Sequence, residues 1–260
     1  MSILQRVNHW RRSLRPVDHH VPLGKALRDH LDSGLGRMID VSRSDGLLYA
    51  IETEEFFSLK GRLYDLDETA LASAYGRILD VGAGAGRHAL ALQKLGCEVV
   101  AMDISPLCVE VMRARGVNQA HVADVFALSK EGALGDFDTV LFLMQSIGIA
   151  GSLFGLEQLL DLLRPLVRPG GQILLDSSPL LRVPGDSSDR SEGIDVSFAY
   201  EGYRGKSFSW LYLDEGMLSE VAIRRGWTLE ILGRTSTLEY LARLRPVVGC
   251  GGENDAGGEA

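Results

Sequence analysis

The chain has 260 residues, of which 45% are apolar, and its 27 basic and 35 acidic residues give a net charge of −8. This length suits one large α/β domain with additions, so a second full domain is not required. The negative charge excludes a general attraction for nucleic acid or anionic membranes, and we expect neither DNA nor a membrane as a partner. The start of the chain has too short an apolar run for a signal peptide, and no segment has the ~18 apolar residues of a membrane span.

Three cysteines, Cys97, Cys108 and Cys250, cannot all pair and lack metal-ligand spacing. Reduced thiols in a reducing compartment are the simplest interpretation, so we predict a cytoplasmic protein.

The first 37 residues are basic, with seven Lys or Arg residues against three aspartates. A solvated helical arm or a subunit contact in a homodimer explains this composition, and RNA binding is the alternative. His19, His20 and His30 lie in the same region, but no Cys or carboxylate completes a tetrahedral set at familiar spacing. We therefore predict no metal site.

Residues 47–74 carry phenylalanines and leucines at discontinuous helical spacing. This pattern predicts a helical cap. Together with the basic arm it makes residues 1–75 an N-terminal helical arm and cap.

A short apolar run, residues 78–81, leads into three alternating glycines at positions 82, 84 and 86. Glycine accepts a positive φ and has no Cβ, so this turn permits close approach of a ligand to the backbone. The dinucleotide fingerprint G-x-G-x-x-G would need glycine at position 87, where this chain has Arg87. The spacing therefore disfavours an NAD(P)-dependent oxidoreductase, which remains an alternative.

Two acidic residues follow later strand-like runs. Asp103 ends the run that begins at Glu98 and lies 23 residues beyond Asp80, close to the ~20-residue offset of a ribose-binding carboxylate. Capping of the next helix, residues 106–115, by Asp103 or Ser105 is the structural alternative. Asp124 ends the next short strand, after Ala123.

The rest of the chain continues the alternation of strands and helices. The apolar run Phe137–Leu143 predicts a buried fourth strand, a helix follows over about residues 153–167, and Pro169-Gly170-Gly171 precedes a fifth strand that ends near Asp176. Alternating runs at 194–200 and 207–214 predict a hairpin, and a helix over 215–225 with a strand over 228–233 completes the sheet. Residues 179–193 have loop composition, and the glycine-rich tail from Gly249 is predicted to be disordered.

In this order, the motifs resemble those of the class I S-adenosylmethionine-dependent methyltransferases. The shared features are G-x-G-x-G with Asp80 two residues before the first glycine, the acidic ends of the next two strands, and Pro-Gly-Gly before the fifth strand. The resemblance covers about residues 76–178. It implies a three-layer Rossmann-like α/β sandwich whose mostly parallel seven-stranded sheet has an antiparallel last strand. The implied methyltransferase domain is 76–245, with a loop and hairpin insertion at about 179–207 and a disordered tail at 246–260.

The resemblance also implies S-adenosyl-L-methionine as the cofactor and S-adenosyl-L-homocysteine as its product. The glycine turn would hold the methionine portion, Asp103 the ribose, and Asp124 with Val125 the adenine. Cap residues Glu55, Phe57, Arg62 and Tyr64 are candidates to line the methionine end, with core or surface positions as the alternative. The complete predicted cofactor set is Asp80, Gly82, Ala83, Gly84, Asp103, Ile104, Asp124, Val125, Met144 and Tyr64.

Methyl transfer from a sulfonium is an in-line displacement that needs few catalytic side chains. The segment after the fourth strand, Met144-Gln145-Ser146, lacks the Asn/Asp-Pro-Pro-Tyr/Phe motif of base and glutamine methylation and the metal-binding carboxylate of catechol-type enzymes. We therefore expect N- or O-methylation of a small molecule or a peptide terminus. Gln145 and Ser146 are candidates to orient the nucleophile and Asp176 to accept a proton, with structural roles as the alternative.

His88 follows the glycine turn, where packing or cofactor contact is a better prediction than acid-base chemistry. Two further alternatives for the whole chain are RNA methylation through the basic arm and a non-catalytic protein that binds S-adenosylmethionine.

Overall fold

In this computed structural model, the described residues are 15–59, 64–128, 136–181 and 193–247. They form thirteen strands: β1 (Arg15–Val17), β2 (Met38–Arg43), β3 (Leu48–Glu52), β4 (Arg77–Val81), β5 (Glu98–Asp103), β6 (Gln119–Val122), β7 (Phe137–Phe142), β8 (Val167–Ser177), β9 (Ile194–Tyr200), β10 (Tyr203–Gly205), β11 (Phe208–Trp210), β12 (Trp227–Arg234) and β13 (Tyr240–Pro246). Their helices are α1 (Val21–Ser33), α2 (Glu54–Phe57), α3 (Tyr64–Ser73), α4 (Arg87–Lys94), α5 (Pro106–Ala114), α6 (Leu153–Leu163) and α7 (Glu215–Arg224).

The central sheet has seven strands in the order β12-β13-β8-β7-β4-β5-β6. The five strands from β8 to β6 are parallel, whereas β13 is antiparallel to β8 and to β12. This confirms the predicted sheet with an antiparallel last strand. The strand order reverses between β4 and β7, and in such sheets ligands bind at the carboxyl ends of the strands beside the reversal.

The central sheet is covered on both faces, which makes the predicted three layers. Successive residues of β4 point to opposite faces, so Ile78 belongs to the apolar cluster with α3, α4 and α5, and Leu79 to the cluster with α6 and α7. Strands β4, β5 and β7 are mainly buried and apolar, as expected for parallel strands between two helical layers, whereas the edge strands β6 and β12 are only partly buried.

Side-chain caps set the starts of the predicted helices. Ser105 accepts a hydrogen bond from the Cys108 N–H before α5, and Asp214 accepts one from Met217 before α7. The helix predicted over 153–167 ends earlier, at Leu163, because residues 164–166 tighten into a 3₁₀ turn at Pro165 and β8 begins at Val167.

The N-terminal region differs from the all-helical prediction, because Met38–Arg43 and Leu48–Glu52 form an antiparallel hairpin. In β2, the side chains of Ile39, Val41 and Arg43 are buried in alternation, which is the period of a strand. The turn between the strands contains Gly46 with φ 92°. Only α1, α2 and α3 fulfil the predicted helical cap.

A second sheet joins the N-terminal region to the insertion. Its order is β1-β10-β9-β2-β3, with β11 also paired to β9. The predicted hairpin over 194–214 is therefore present, but its first strand, β9, pairs directly with β2 of the N-terminal region. Helix α1 lies between this sheet and α5, where Gly24 allows close packing: a Cβ there would come within 2.7 Å of Leu107 Cβ.

Two of the described basic residues of the N-terminal arm, Lys25 and Arg28, have charged or aromatic partners within the chain. Arg28 pairs with Asp32 and Glu110, and the Lys25 ammonium lies 4.8 Å from the ring centroid of Tyr203. Arg6, Arg11 and Arg12 lie outside the described residues, as do Cys250 and the tail from Gly249. None of the described helices combines the length and the apolar character of a membrane span.

Candidate active site

A cavity of about 990 Å³ opens at the carboxyl ends of β4, β5 and β7, beneath the second sheet. Eight of the predicted cofactor residues line it together: Gly82, Ala83, Gly84, Asp103, Ile104, Asp124, Val125 and Met144. Gln145 and Ser146 also line it. Asp80 and Asp176 are buried behind this wall, at 2% and 1% exposure.

The glycine turn is held by the end of β5. The N–H groups of Gly82 and Ala83 both donate to the carbonyl of Met102 at 3.0 Å, and Gly84 N–H donates to Asp103 Oδ2 at 3.0 Å. Gly82 and Gly84 have φ of 70° and 56°, a region that disfavours residues with a Cβ. The turn therefore presents bare backbone to the cavity.

Asp103 faces the same cavity with both oxygens positioned by backbone donors. Besides the bond from Gly84, its Oδ1 accepts from the Ser105 N–H at 2.8 Å. Ser105 supplies the helix cap, so Asp103 does not cap α5 and its carboxylate is directed to the cavity. Burial raises the pKa of Asp103 to about 6, although both backbone bonds favour the charged form.

Asp124 begins a single turn, Val125–Ala127, at the far side of Asp103. Its Oδ1 accepts a hydrogen bond from Phe126 N–H at 2.9 Å, while Val125 is buried. His19 reaches this side of the cavity from the N-terminal segment. Burial, followed by the charge of His20, lowers the pKa of His19, which favours a neutral imidazole.

Met144 and Gln145 occupy the left-handed region, with φ of 57° and 60°, although neither is glycine. Such strained backbone requires support from its surroundings and is common at functional sites. Here the Gln145 N–H donates to Asp176 Oδ1 at 2.8 Å, and Ser146 Oγ donates to the Val81 carbonyl at 3.0 Å. These two bonds connect the turn after β7 to the ends of β8 and β4.

The position of Asp176 does not suit the predicted role as a proton acceptor for a substrate. The side chain lies behind the Gln145 backbone and does not reach the cavity wall. Burial raises its pKa to about 7, and its Oδ2 has no hydrogen-bond partner among the described residues. Asp176 instead supports the strained turn that carries Gln145.

Asp176→Asn should increase stability in a pH-dependent way. Because the folded pKa of about 7 lies above the ordinary value of 3.8, the wild-type protein loses stability as this carboxyl ionises. The advantage of the variant should therefore grow from about pH 4 to pH 7 and then stay constant, with an upper bound of about 4 kcal/mol. Denaturant unfolding at pH 4.5, 6 and 8 measures this difference, and a gap independent of pH would contradict the assignment.

Charged side chains form a buried group beneath the glycine turn. Arg87 and His88 both contact Asp67, with Arg87 Nη2 at 2.5 Å from Oδ2 and His88 Nε2 at 3.0 Å from Oδ1. His88 is thus bound to a carboxylate, which agrees with packing rather than with acid-base chemistry. Burial raises the pKa of Asp80, which accepts a bond from the Ala89 backbone and so supports the start of α4.

Helix α2 covers the glycine turn and is held by two arginines. Arg87 Nη1 donates to the carbonyls of Glu55 and Ser58, at 2.7 and 3.1 Å, and Arg115 Nη2 donates to the Phe57 carbonyl at 2.8 Å. Together these bonds fix α2 over the turn.

Of the four cap residues predicted to line the methionine end, Glu55 lies on the cavity. Phe57 points away from it and stacks on His30 with ring centroids 4.0 Å apart. The neighbouring residue Phe56, rather than Phe57, lies against the glycine turn at Gly84 and lines the cavity. Arg62 and the side chain of Tyr64 lie outside the described residues.

The wall opposite the cofactor residues is aromatic and was not predicted. Its aromatic side chains come from the second sheet and the segment that follows it: Tyr49, Phe198, Phe208, Trp210 and Tyr212. The sequence signal was an aromatic residue at every second position from 208 to 212, with the intervening Leu211 buried. Among the described residues, no group of three His, Cys, Asp or Glu side chains is arranged to hold a metal ion.

Comparisons with known proteins agree with this geometry. A sequence model of the methyltransferase-domain family matches residues 78–171. A solved S-adenosylmethionine-dependent methyltransferase from Bacteroides fragilis, in complex with S-adenosyl-L-homocysteine, is 39% identical, with a TM-score of 0.80. That likeness covers 91% of this chain and 98% of the other. The methyltransferase CcbJ from Streptomyces caelestis, at 17% identity and a TM-score of 0.58, shares the fold over 87% of this chain and 98% of its own.

Two curated relatives match a part of the chain. A ubiquinone biosynthesis O-methyltransferase from Xanthomonas euvesicatoria is 27% identical over 51% of this chain and 62% of its own length. A ribosomal protein L11 methyltransferase from Ralstonia pickettii is 36% identical over 38% of this chain and 31% of its own length. The chain thus spans less than two thirds of either relative. By its likeness to the Bacteroides fragilis enzyme over almost the whole of both chains, it belongs to the S-adenosylmethionine-dependent methyltransferases.

Proposed function

We propose that this protein transfers the methyl group of S-adenosylmethionine to a nitrogen or oxygen of a small molecule. The observation that carries the proposal is one cavity with two different walls. The predicted cofactor residues form one wall and an aromatic face forms the other. Its volume of about 990 Å³ is at the upper end for small-ligand pockets, which suits a cofactor together with a small acceptor.

The residues present fit the cofactor in type and position. Asp103 offers a carboxylate whose oxygens are already oriented by Gly84 and Ser105, and ribose hydroxyls are suitable donors to it. The backbone of Gly82 and Gly84, free of any Cβ, would cradle the methionine portion. Asp124 and Val125 would contact the adenine. The cofactor supplies an activated methyl carbon, and the protein positions the acceptor and excludes water.

Gln145 is the residue that we propose to orient the acceptor. It lies on the cavity wall, and its backbone is held in a strained conformation by Asp176. A side-chain amide can donate to or accept from an acceptor atom without changing its charge. This arrangement supports positioning by Gln145 rather than proton transfer.

The volume of the cavity and the sheet that covers it favour a small molecule over a macromolecule. The second sheet covers the site, and the described basic residues Lys25 and Arg28 of the N-terminal arm contact groups of this chain. A peptide terminus remains compatible with the cavity. RNA methylation would require strongly salt-dependent RNA binding, which the intact chain can be tested for directly.

Calorimetric titration with S-adenosylmethionine, S-adenosylhomocysteine, NAD and NADP tests the proposal first. We expect micromolar binding of the first two ligands only. Release of S-adenosylhomocysteine is then measured with a library of small amines, alcohols and phenols. Binding of a dinucleotide, or of none of the four ligands, would refute the proposal, and cofactor binding without turnover on any acceptor would favour a non-catalytic binding protein.

A further inference from the structure

The aromatic wall is built by strand register. Val41 of β2 pairs with Tyr49 of β3 on one side and with Phe198 of β9 on the other. Residues opposite one another in a sheet share a face, so these three side chains form a row across it. Val196, Phe208 and Arg43 form the next row, because β9 pairs with β11 on one side and with β2 on the other. The two rows therefore present mainly apolar and aromatic side chains. The exception is Arg43, which pairs with Asp45 and whose guanidinium carbon lies 5.4 Å from the ring centroid of Tyr212.

This wall is attached to the turn that carries Gln145. Leu211 N–H donates to the Gly148 carbonyl at 2.9 Å, and Ser209 Oγ donates to the Gly151 carbonyl at 2.8 Å. The Trp210 ring lies directly on Gly148, where a Cβ would come within 2.2 Å of its ring atoms. The aromatic wall and the proposed acceptor-orienting residue therefore hold a fixed spacing.

The described charged groups around this part of the cavity are mainly acidic. Glu52 and Glu55 line the cavity and are exposed at its rim, and neither carboxylate has an ion pair with a described residue. Glu54 lies 3.5 Å from His30. Arg87 is the only Lys or Arg among the described lining residues. Its guanidinium is already hydrogen-bonded to Asp67 and to two backbone carbonyls.

We propose, on the basis of the function proposed above, that the methyl acceptor is an amine carried on a flat apolar group. Aromatic faces attract both flat apolar groups and cations, and carboxylates attract an ammonium ion as it enters. Phe198, Phe208 and Trp210 of the aromatic wall would take the flat group, while Glu52 and Glu55 favour the protonated amine. The same carboxylates oppose acceptors that enter as carboxylate or phenolate anions.

The transfer balances without a further reactant. The bound ammonium loses one proton to water at the cavity mouth, which leaves a lone pair on nitrogen. That nitrogen forms a bond to the methyl carbon as the carbon–sulfur bond breaks, and the bonding pair stays on sulfur. The methylated nitrogen carries the positive charge, and a neutral thioether, S-adenosylhomocysteine, leaves.

Binding of three matched probes to the protein saturated with S-adenosylhomocysteine tests the inference. The probes are 2-phenylethylamine, 2-phenylethanol and 3-phenylpropanoate, which share a ring but differ in charge. By calorimetry or saturation-transfer NMR, we expect the amine to bind about tenfold more tightly than the alcohol and the carboxylate to bind most weakly. Equal binding of the amine and the alcohol, tighter binding of the carboxylate, or binding of none of the three would overturn it.

Variants separate the two features of the site. The double variant Glu52→Gln/Glu55→Gln should weaken amine binding about fivefold and leave alcohol binding unchanged. Glu230→Gln, at an exposed carboxylate on β12 that pairs with Arg243, is the matched control and should change none of these affinities. An unchanged amine affinity in the double variant would refute the role of the two glutamates. Failure of the wild-type protein to bind S-adenosylhomocysteine would instead refute the proposed function itself.

Discussion

Asp103→Ala is expected to weaken binding of S-adenosylmethionine and S-adenosylhomocysteine by about 100-fold or more. The variant would lose two charge-assisted hydrogen bonds to the ribose, each of about 1.5–3 kcal/mol. Calorimetric titration measures the loss. The fold should survive, because the Gly84 and Ser105 N–H groups that lose their acceptor lie at a cavity wall that water reaches.

The control for this variant is Glu98→Gln, at the exposed start of the same strand, where the carboxylate pairs only at the surface with Arg77. It should leave cofactor affinity unchanged. In the wild-type protein, affinity should also decline as the pH falls below about 6, because protonation of Asp103 removes the acceptor that we propose for the ribose hydroxyls. Retained affinity in Asp103→Ala would refute the assignment of this residue to the ribose.

Arg87→Met is expected to destabilise the protein by about 3–5 kcal/mol, a loss of roughly 10 °C in Tm for a chain of this size. The side-chain ion pair with Asp67 is 4% and 3% exposed, so removal of the guanidinium leaves a buried carboxylate with His88 as its remaining partner among the described residues. The same change releases the carbonyls of Glu55 and Ser58 that hold α2. Thermal and denaturant unfolding measure the effect.

Two further variants establish the cause. Arg28→Met removes an exposed pair and should cost no more than about 1 kcal/mol. The double variant Arg87→Met/Asp67→Asn should recover part of the lost stability, because it removes the uncompensated buried charge. Equal losses in Arg28→Met and Arg87→Met, or no recovery in the double variant, would show that the buried pair does not support the site.

The fold of the central domain could be predicted from the sequence because the patterns that indicate its strands and turns are local. Buried parallel strands appear as apolar runs, and glycines or acidic residues at their ends mark the ligand side, as at Gly82, Asp103 and Asp124. The cap was harder to predict. Residues 48–52 contain apolar residues that suit a helical pattern, whereas pairing with β2 selects the strand.

The sequence pattern also did not predict the roles of two buried polar residues. Asp176 lies near the end of β8, where a carboxylate commonly faces the ligand. The left-handed turn at Met144 and Gln145, however, places a backbone N–H between this carboxylate and the cavity. His88 likewise follows the glycine turn but is bound to Asp67, 21 residues earlier. Such pairings depend on contacts between distant segments.

The sequence by itself determined the class of fold and the polar residues and glycines at the ends of its central strands, because periodicity and the residues at strand ends are local properties of the chain. Only the tertiary structure decided the aromatic wall, where we propose that the acceptor binds. Val41, Phe198 and Phe208 are distant in sequence, and they meet because the N-terminal hairpin and the insertion pair as one sheet. Strand register between remote segments carries no local signal, so the aromatic face above the cofactor site emerges only when the chain is folded.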